Sequence, residues 1–342
     1  MRRAPSLLLP LLLCACGGRP EPAPTPPTAP AEPVATVPEG PGTVADGTFH
    51  SDALGVDKHY VVYLPAGYEA APDRRYPVIY MLNGLGGGET NWVAFGKLDQ
   101  AANGLHLQAI VVMPDGDSSF YANSVTPAPA LETCRQGQPT FAPAEEPETY
   151  CVATPRYEDY ITQDLIAHVD HTYRTIASRD ARGIGGLSMG GFGALELAMR
   201  HPDLYAAVAS HSGVDALLYA GPHPYQPGQA QLADDVSQWG AQVEPIGAHV
   251  RAIFGPELAN WQAHDPAYLA AQLHDGDLAI YLDCGTEDEF LLNDAAQYLH
   301  EVLTSHGIQH EWYLGPGHHD FAFWIDRIDD SLAFFASHLQ ER

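Results

Sequence analysis

Short runs of apolar residues recur along the chain, and longer segments with a different spacing separate them. The runs suit strands that are buried on both faces of a sheet. They lie at residues 60–64, 77–82, 109–113, 183–186, 206–209, 278–284 and 310–314. Segments between the runs place apolar residues on one helical stripe, as Ile161, Leu165 and Val169 do. Alternating strands and helices predict an α/β fold with a mostly parallel central sheet flanked by helices.

One stretch, residues 215–273, breaks this alternation. Glycine and proline punctuate several helical pieces there, and no clear strand is present in the pattern. In a parallel α/β sheet such a stretch would lie over the carboxyl ends of the strands. We therefore predict a helical, cap-like insertion that forms a wall of the substrate cleft.

The first 15 residues predict an export signal that is not part of the fold. Two arginines follow Met1, and the apolar run at residues 7–13 is far shorter than the roughly 20 residues that span a bilayer. Leu13-Cys14-Ala15-Cys16, followed by two glycines, resembles the bacterial lipobox. This resemblance predicts cleavage before Cys16 and a lipid on that cysteine. Cleavage at another small residue nearby is the alternative.

Residues 16–45 are rich in proline, alanine, glutamate and threonine. Such a segment has too few large apolar side chains to bury a core, so it predicts a solvated tether. Residues 46–342 contain no second linker of this kind and no repeat of fixed period. We expect them to form one folded domain.

Acidic residues greatly outnumber basic ones, with 43 Asp and Glu against 16 Lys and Arg, which gives a formal charge of −27. Loss of residues 1–15, which contain two arginines and no acid, changes it to −29. A field of this sign repels phosphate backbones, so nucleic acid is excluded as a partner.

Three cysteines remain after Cys14 and Cys16 are set aside. Cys134 and Cys151 bracket a polar, proline-containing loop, which predicts a disulfide between them in an oxidising compartment. Cys284 lies in a predicted buried strand, where a thiol is expected to act as a small apolar group.

Gly186-Leu187-Ser188-Met189-Gly190 matches the pattern G-x-S-x-G. A predicted strand precedes this pattern and a predicted helix follows it, and in that context a sharp turn lifts the serine Oγ above the sheet. In a chain with 32 glycines this pattern can occur by chance. The predicted strand and helix on either side, together with the partner residues below, are what support a catalytic serine here. Ser188 is the candidate nucleophile.

A serine hydroxyl needs a neighbouring base, which in turn needs an acid to orient it. With the chain order Ser, acid, His, the acid should follow a late strand. Glu287, Asp288 and Glu289 compete there, and the spacing from the turn glycine Gly285 favours Asp288, with Glu289 next.

Two adjacent histidines, His318 and His319, follow the last predicted strand. His319 is preferred as the base because it directly precedes an Asp-Phe pair that matches the family pattern described below. A metal site at His318, His319 and Asp320 is disfavoured, since consecutive side chains diverge. Neither a metal nor a cofactor is predicted.

Two backbone N–H groups are expected to stabilise the oxyanion of a tetrahedral intermediate. Met189 directly follows the nucleophile and is one candidate donor. Leu85, in the glycine-rich loop at residues 83–88 after an early strand, is the other.

Six motifs occur in a characteristic order along the chain. They are N-G-L-G-G at 83–87, V-M-P-D-G at 112–116, Y-E-D-Y-I at 157–161, G-L-S-M-G-G at 186–191, D-C-G-T-E-D at 283–288 and H-D-F at 319–321. This set resembles the esterase D superfamily of α/β-hydrolases, which includes S-formylglutathione hydrolases, feruloyl and acetyl-xylan esterases, enterochelin esterases and mycolyltransferases.

The resemblance covers most of the chain after about residue 58 and implies an α/β-hydrolase catalytic domain at 46–342. It implies the triad Ser188, Asp288 and His319. Two departures are visible: Asn83 stands where many relatives have histidine, and residues 127–155 look like a local insertion.

The expected function is that of a serine carboxylesterase acting through an acyl-enzyme on neutral esters with short acyl groups or small aromatic acids. Acyl transfer of the mycolyltransferase type and a non-catalytic glycan-binding lipoprotein are the alternatives. We expect a small-molecule ester as partner, membrane contact through the lipid anchor only, and a location in the cell envelope. The sequence does not predict an oligomeric state.

Overall fold

A computed structural model describes residues 40–126, 151–152 and 154–340. The predicted signal peptide, Cys16, most of the predicted tether and Cys134 lie outside these residues. Cleavage, lipid attachment and the Cys134–Cys151 disulfide therefore stay predictions, although Cys151 itself is buried. Within the described part, no helix is long and apolar enough to cross a membrane.

Eight described strands form one sheet in the order β1-β2-β4-β3-β5-β6-β7-β8. They are β1 Thr43–Ser51, β2 Val56–Leu64, β3 Val78–Leu82, β4 Ile110–Pro114, β5 Arg182–Leu187, β6 Ala207–His211, β7 Ala279–Gly285 and β8 Glu311–Gly315. β2 pairs antiparallel with β1 and β4, and the other neighbours pair in parallel. The mostly parallel sheet confirms the predicted fold class.

The apolar pattern of the sequence does not predict β1. Most of its side chains are exposed, so the strand lacks the apolar run that marks the others. β1 begins at Thr43, which places the last three residues of the predicted 16–45 tether in the sheet.

Helices cover both faces of the sheet. They are α1 Asn91–Ala94, α2 Leu98–Gly104, α4 Met189–Arg200, α5 Ile246–Phe254, α6 Leu258–His264, α7 Pro266–Ala270, α8 Leu292–Ser305 and α9 Phe321–His338. Helix α3 runs through Tyr157–Asp159, a π-helical part Tyr160–Leu165, and Ile166–Thr172. α5, α6 and α7 fall within residues 215–273, where a helical insertion is predicted.

Alternate residues of the central strands enter two separate hydrophobic cores. In β3, Tyr80 and Leu82 belong to the core that includes residues of α3 and α4, while Ile79 and Met81 belong to the core that includes residues of α9. This two-sided burial explains why these strands read as continuous apolar runs. Because the central strands are parallel, the loops after β3, β5, β7 and β8 meet at one edge of the sheet.

Asp215 is a fully buried carboxyl group just after β6. Its Oδ1 accepts a hydrogen bond from the Ser210 hydroxyl at 2.6 Å. Burial raises the pKa of Asp215 from 3.8 to about 7, and the nearby charge of Asp283 adds to this rise. The folded protein therefore holds this proton more tightly than the unfolded chain does. The stability that results is complete below the unfolded pKa and is lost as the pH rises to about 7.

Wild type should therefore lose stability as the pH rises, whereas Asp215→Asn, which has no titrating group at this position, should not. Between about pH 5 and about pH 8, the free energy of unfolding of wild type should fall relative to that of the variant by on the order of 2 kcal/mol. Urea unfolding at both pH values measures the shift. Asp203→Asn changes an exposed carboxylate and serves as the control. A stability difference that stays constant with pH would show that Asp215 does not carry a buried charge at the higher pH.

Candidate active site

Ser188 lies in the tight turn between β5 and α4. Its backbone has φ 54° and ψ −118°, a conformation that L-residues seldom adopt and that is typical of functional turns. The flanking glycines make this turn sterically possible. A Cβ on Gly186 would lie 2.4 Å from the backbone of Gly190, and one on Gly190 would lie 2.5 Å from the carbonyl oxygen of Leu82. Larger residues at either position would collide with the main chain.

The structure brings the three predicted triad residues together. His319 Nε2 lies 2.9 Å from Ser188 Oγ, and His319 Nδ1 lies 2.7 Å from Asp288 Oδ2. With the ring proton on Nδ1, the imidazole donates to the carboxylate, and Nε2 is available to accept the serine proton. Asp288 is 3% exposed, so this carboxylate is shielded from water. This is the arrangement that activates a serine hydroxyl.

The other two candidate acids, Glu287 and Glu289, accept hydrogen bonds from the backbone of the loop that contains His319 and do not contact its imidazole. Glu287 accepts a hydrogen bond from the N–H of Gly317 at 2.5 Å. Glu289 accepts from the N–H of His319 at 3.0 Å and contacts His318 Nδ1 at 2.7 Å. The hydrogen bond from the His319 N–H is the main reason that the pKa of Glu289 lies below its usual value. Asp288 is thus the acid in contact with the imidazole of His319.

Met189 and Leu85 both line the cavity that contains Ser188. Met189 is the first residue of α4, so its N–H has no acceptor within the helix. Leu85 lies in a turn closed by the hydrogen bond from Gly87 N–H to Gly84 O at 3.0 Å. The two predicted oxyanion donors therefore occupy the cavity wall next to the serine.

Asn83 joins this turn to the loop after β4. Its Nδ2 donates to the carbonyl oxygens of Gly84 and Asp117, at 2.9 and 3.2 Å. Its Oδ1 accepts from the N–H of Gly116 and the hydroxyl of Tyr121, both at 2.9 Å. Asn83 is 1% exposed and uses both ends of its amide. The residue that departs from the family pattern therefore acts as a structural link beneath the Leu85 turn.

A buried ionic cluster, which the sequence pattern does not predict, supports the loop after β4. Lys58 is fully buried and forms ion pairs with Asp115 and with Asp117, the latter at 2.8 Å. The hydroxyl of Tyr157 donates to Asp117. Burial, aided by the charge of Asp115, outweighs the effect of Lys58 and raises the pKa of Asp117 to about 7. Desolvation lowers the pKa of Lys58, but the two carboxylates more than offset it, so that pKa is raised.

A cavity of about 1040 Å³ opens over Ser188. Leu217, Trp239, Val243 and Ile246 form an apolar wall, and all four lie within the predicted 215–273 insertion. The insertion thus forms a cleft wall, as predicted. Lysine and arginine are absent from the described residues that line the cavity, whereas Asp235, Glu289 and Asp320 are present.

Comparison with known families agrees with this geometry. The family model named Esterase matches residues 51–335, which is most of the chain. The chain belongs to the Esterase family. The predicted relationship to esterases is therefore confirmed.

Two curated relatives match about half of the chain. An esterase of Mycobacterium tuberculosis is 31% identical over 170 residues, which are 49% of this chain and 32% of that protein. An endo-1,4-beta-xylanase/feruloyl esterase of Xylanibacter ruminicola is 30% identical over 173 residues, 48% of this chain and 20% of that protein. The chain therefore spans a third or less of the length of these relatives.

Solved structures extend the likeness over nearly the whole domain. An S-formylglutathione hydrolase from Agrobacterium tumefaciens superposes with a TM-score of 0.65 and 19% identity, covering 87% of this chain and 96% of that one. This likeness shows that the Esterase-family domain has the α/β-hydrolase fold.

Proposed function

We propose that this Esterase-family protein is a serine carboxylesterase that works through an acyl-enzyme on Ser188. The proposal rests on the chain of contacts from Ser188 Oγ through His319 to Asp288, at 2.9 and 2.7 Å. Family membership supports the same reaction class.

In the first half of the proposed reaction, Ser188 Oγ attacks the ester carbonyl carbon while His319 Nε2 takes the serine proton. Asp288 holds the imidazole in place and stabilises the positive charge that forms on it. The N–H groups of Leu85 and Met189 bind the oxyanion of the tetrahedral intermediate. When the intermediate collapses, the imidazolium gives its proton to the leaving alcohol, and the acyl group stays on Ser188.

In the second half, water enters where the alcohol left. His319 takes a proton from this water as its oxygen attacks the acyl carbon, and the same oxyanion donors stabilise the second intermediate. Collapse releases the carboxylic acid and returns the proton to Ser188.

Uncharged esters are the proposed substrates. Three acids and no lysine or arginine are among the described cavity-lining residues, and the chain as a whole has a formal charge of −27. Both features disfavour an anionic ester through repulsion at short and at long range. The apolar wall at Leu217 and Trp239 suits a short acyl chain or a small aromatic acid.

Labelling with a fluorophosphonate probe tests the nucleophile. Ser188 Oγ bonds to phosphorus as fluoride leaves, so we expect the intact wild-type protein to gain the mass of one probe less HF, which peptide mass spectrometry should assign to Ser188. Heat-denatured wild type and the variant His319→Ala should not be labelled, because the serine then lacks its base. Labelling of another residue, or equal labelling of folded and denatured protein, would contradict the proposal.

Product analysis separates hydrolysis from acyl transfer. With p-nitrophenyl acetate and a sugar alcohol present at millimolar concentration, we expect acetate to be the main product. If transfer of the acetyl group to the sugar alcohol were the dominant reaction, the protein would be an acyltransferase that uses the same triad.

A further inference from the structure

Three phenylalanines stand together at the mouth of the cavity, and the triad does not require them. Phe95 follows α1, Phe290 follows the loop of the triad acid, and Phe321 begins α9 two residues after His319. Phe95 and Phe290 are 56% and 49% exposed, which is high for side chains of this size. All three line the cavity. We call this set the aromatic rim.

The rim contacts the catalytic imidazole directly through Phe290 and, by way of Trp324, through Phe321. The ring centroids of Phe95 and Phe321 lie 5.4 Å apart. Phe290 meets the ring of His319 at 5.0 Å in an edge-on arrangement. Trp324 contacts both Phe321, at 4.9 Å, and His319, at 5.1 Å. These contacts fix the rim relative to the reacting nitrogen.

The backbone also holds Phe290 at the mouth. Asp288 Oδ1 accepts a hydrogen bond from the Phe290 N–H at 2.9 Å, while Oδ2 of the same carboxylate contacts His319. Leu291 then adopts a left-handed conformation, with φ 60°, that non-glycine residues rarely take.

The position of the rim determines which half of an ester it can touch. His319 gives its proton to the oxygen of the leaving alcohol, so the alcohol lies on the imidazole side of the scissile bond. In the proposed mechanism the carbonyl oxygen binds at the N–H groups of Leu85 and Met189, away from His319 Nε2. Phe290 and Phe321 therefore adjoin the alcohol half.

The charged residues near the rim indicate which charge the alcohol half of the ester can carry. Glu289 and Asp320 flank its phenylalanines in the chain, and both line the cavity. Carboxylates at this position repel an anionic alcohol. Exposed aromatic side chains bind flat apolar surfaces. An uncharged aryl ring presents such a surface as its aromatic face, and an uncharged sugar ring presents one as a face of C–H groups.

On the basis of the proposed esterase function, we propose that the aromatic rim is a leaving-group subsite that binds an uncharged ring in the alcohol half of the ester. Phe290 and Phe321 are its specificity-determining residues. An aryl ring and a sugar ring share the required chemistry.

Acetate esters that differ only in the alcohol test the subsite. The three substrates are benzyl acetate, methyl 6-O-acetyl-glucoside and butyl acetate, and all form the same acetyl-enzyme. We expect wild type to show at least a tenfold higher kcat/KM for one or both ring esters than for butyl acetate. The ester with the higher value identifies the ring as aryl or sugar. Phe290→Ala and Phe321→Ala should each reduce this preference at least fivefold.

Tyr268→Ala is the matched control, because Tyr268 is an aromatic side chain of similar exposure, 47%, and does not line the cavity. It should keep the wild-type preference. A second readout varies the acyl group with a fixed alcohol: the ratio of kcat/KM for methyl butyrate to that for methyl acetate should stay unchanged in the rim variants. A general disturbance of the site would change both ratios.

Equal kcat/KM for all three acetates in wild type, or equal losses for ring and butyl esters in the rim variants, would overturn the subsite. The subsite is also wrong if the rim variants lose only their affinity for phosphatidylcholine vesicles, since the rim would then contact a lipid surface. If wild type hydrolyses no ester in a Ser188-dependent way, the proposed esterase function itself fails. Activity on butyl acetate without any ring preference refutes the subsite alone.

Discussion

Ser188→Ala should lower kcat for p-nitrophenyl acetate by roughly four to six orders of magnitude, which is the range seen when a serine nucleophile is removed. Without Oγ no acyl-enzyme can form, and His319 has no hydroxyl group to deprotonate. The residual rate would come from water held near the oxyanion donors. Steady-state hydrolysis, corrected for the reaction in buffer, measures the loss.

The fold of this variant should remain intact. Alanine keeps the Cβ of Ser188, and the backbone N–H of residue 188 still donates to the carbonyl oxygen of His211, at 2.9 Å. We expect the circular dichroism spectrum and Tm to match those of wild type. Ser305→Ala changes an exposed serine at the end of α8 and should keep full activity. Wild-type hydrolysis by the Ser188 variant would refute the acyl-enzyme mechanism.

Asp288→Asn should lower kcat/KM by on the order of 10⁴. The carboxylate lies 2.7 Å from His319 Nδ1 and is shielded from water. An amide that turned its NH₂ group toward the ring would favour the tautomer with the proton on Nε2, which cannot accept the serine proton. It would also remove the negative charge that stabilises the imidazolium.

Glu289→Gln is the matched control for this substitution. Glu289 contacts the same histidine loop, but through the backbone N–H of His319 and the side chain of His318. We expect this variant to lose less than about tenfold in kcat/KM, because it leaves the imidazole and its acid unchanged. A larger loss for Glu289→Gln than for Asp288→Asn would assign the acid role to Glu289.

The sequence was sufficient to predict the central strands, and it also named the histidine and the acid that the structure places in line with Ser188. The strands are buried on both faces, and such burial leaves continuous apolar runs in the sequence. The chain order of serine, acid and histidine narrowed the acid to three adjacent carboxylates. Spacing then favoured Asp288, which the structure places against His319. β1 was missed because an exposed edge strand carries little hydrophobic pattern.

The support beneath the Leu85 turn could not be predicted in the same way. Lys58 and its partner Asp117 are 59 positions apart, and no local spacing relates them. Lysine is also a residue normally found at the surface, so a buried one contradicts the usual expectation. Asn83 was recognised only as a departure from a family pattern. Its four hydrogen bonds depend on loops that the fold brings together.

The burial of Lys58 has a practical consequence for chemical modification. Lys58 and Lys97 are the only lysines in the sequence. Lys58 is fully buried and ion-paired, which protects its amine from reagents, whereas Lys97 is exposed. Amine-reactive dyes that modify side chains will therefore attach at Lys97, two residues from Phe95 at the cavity mouth. A fluorophore placed there would lie close to the cavity entrance without any engineered cysteine.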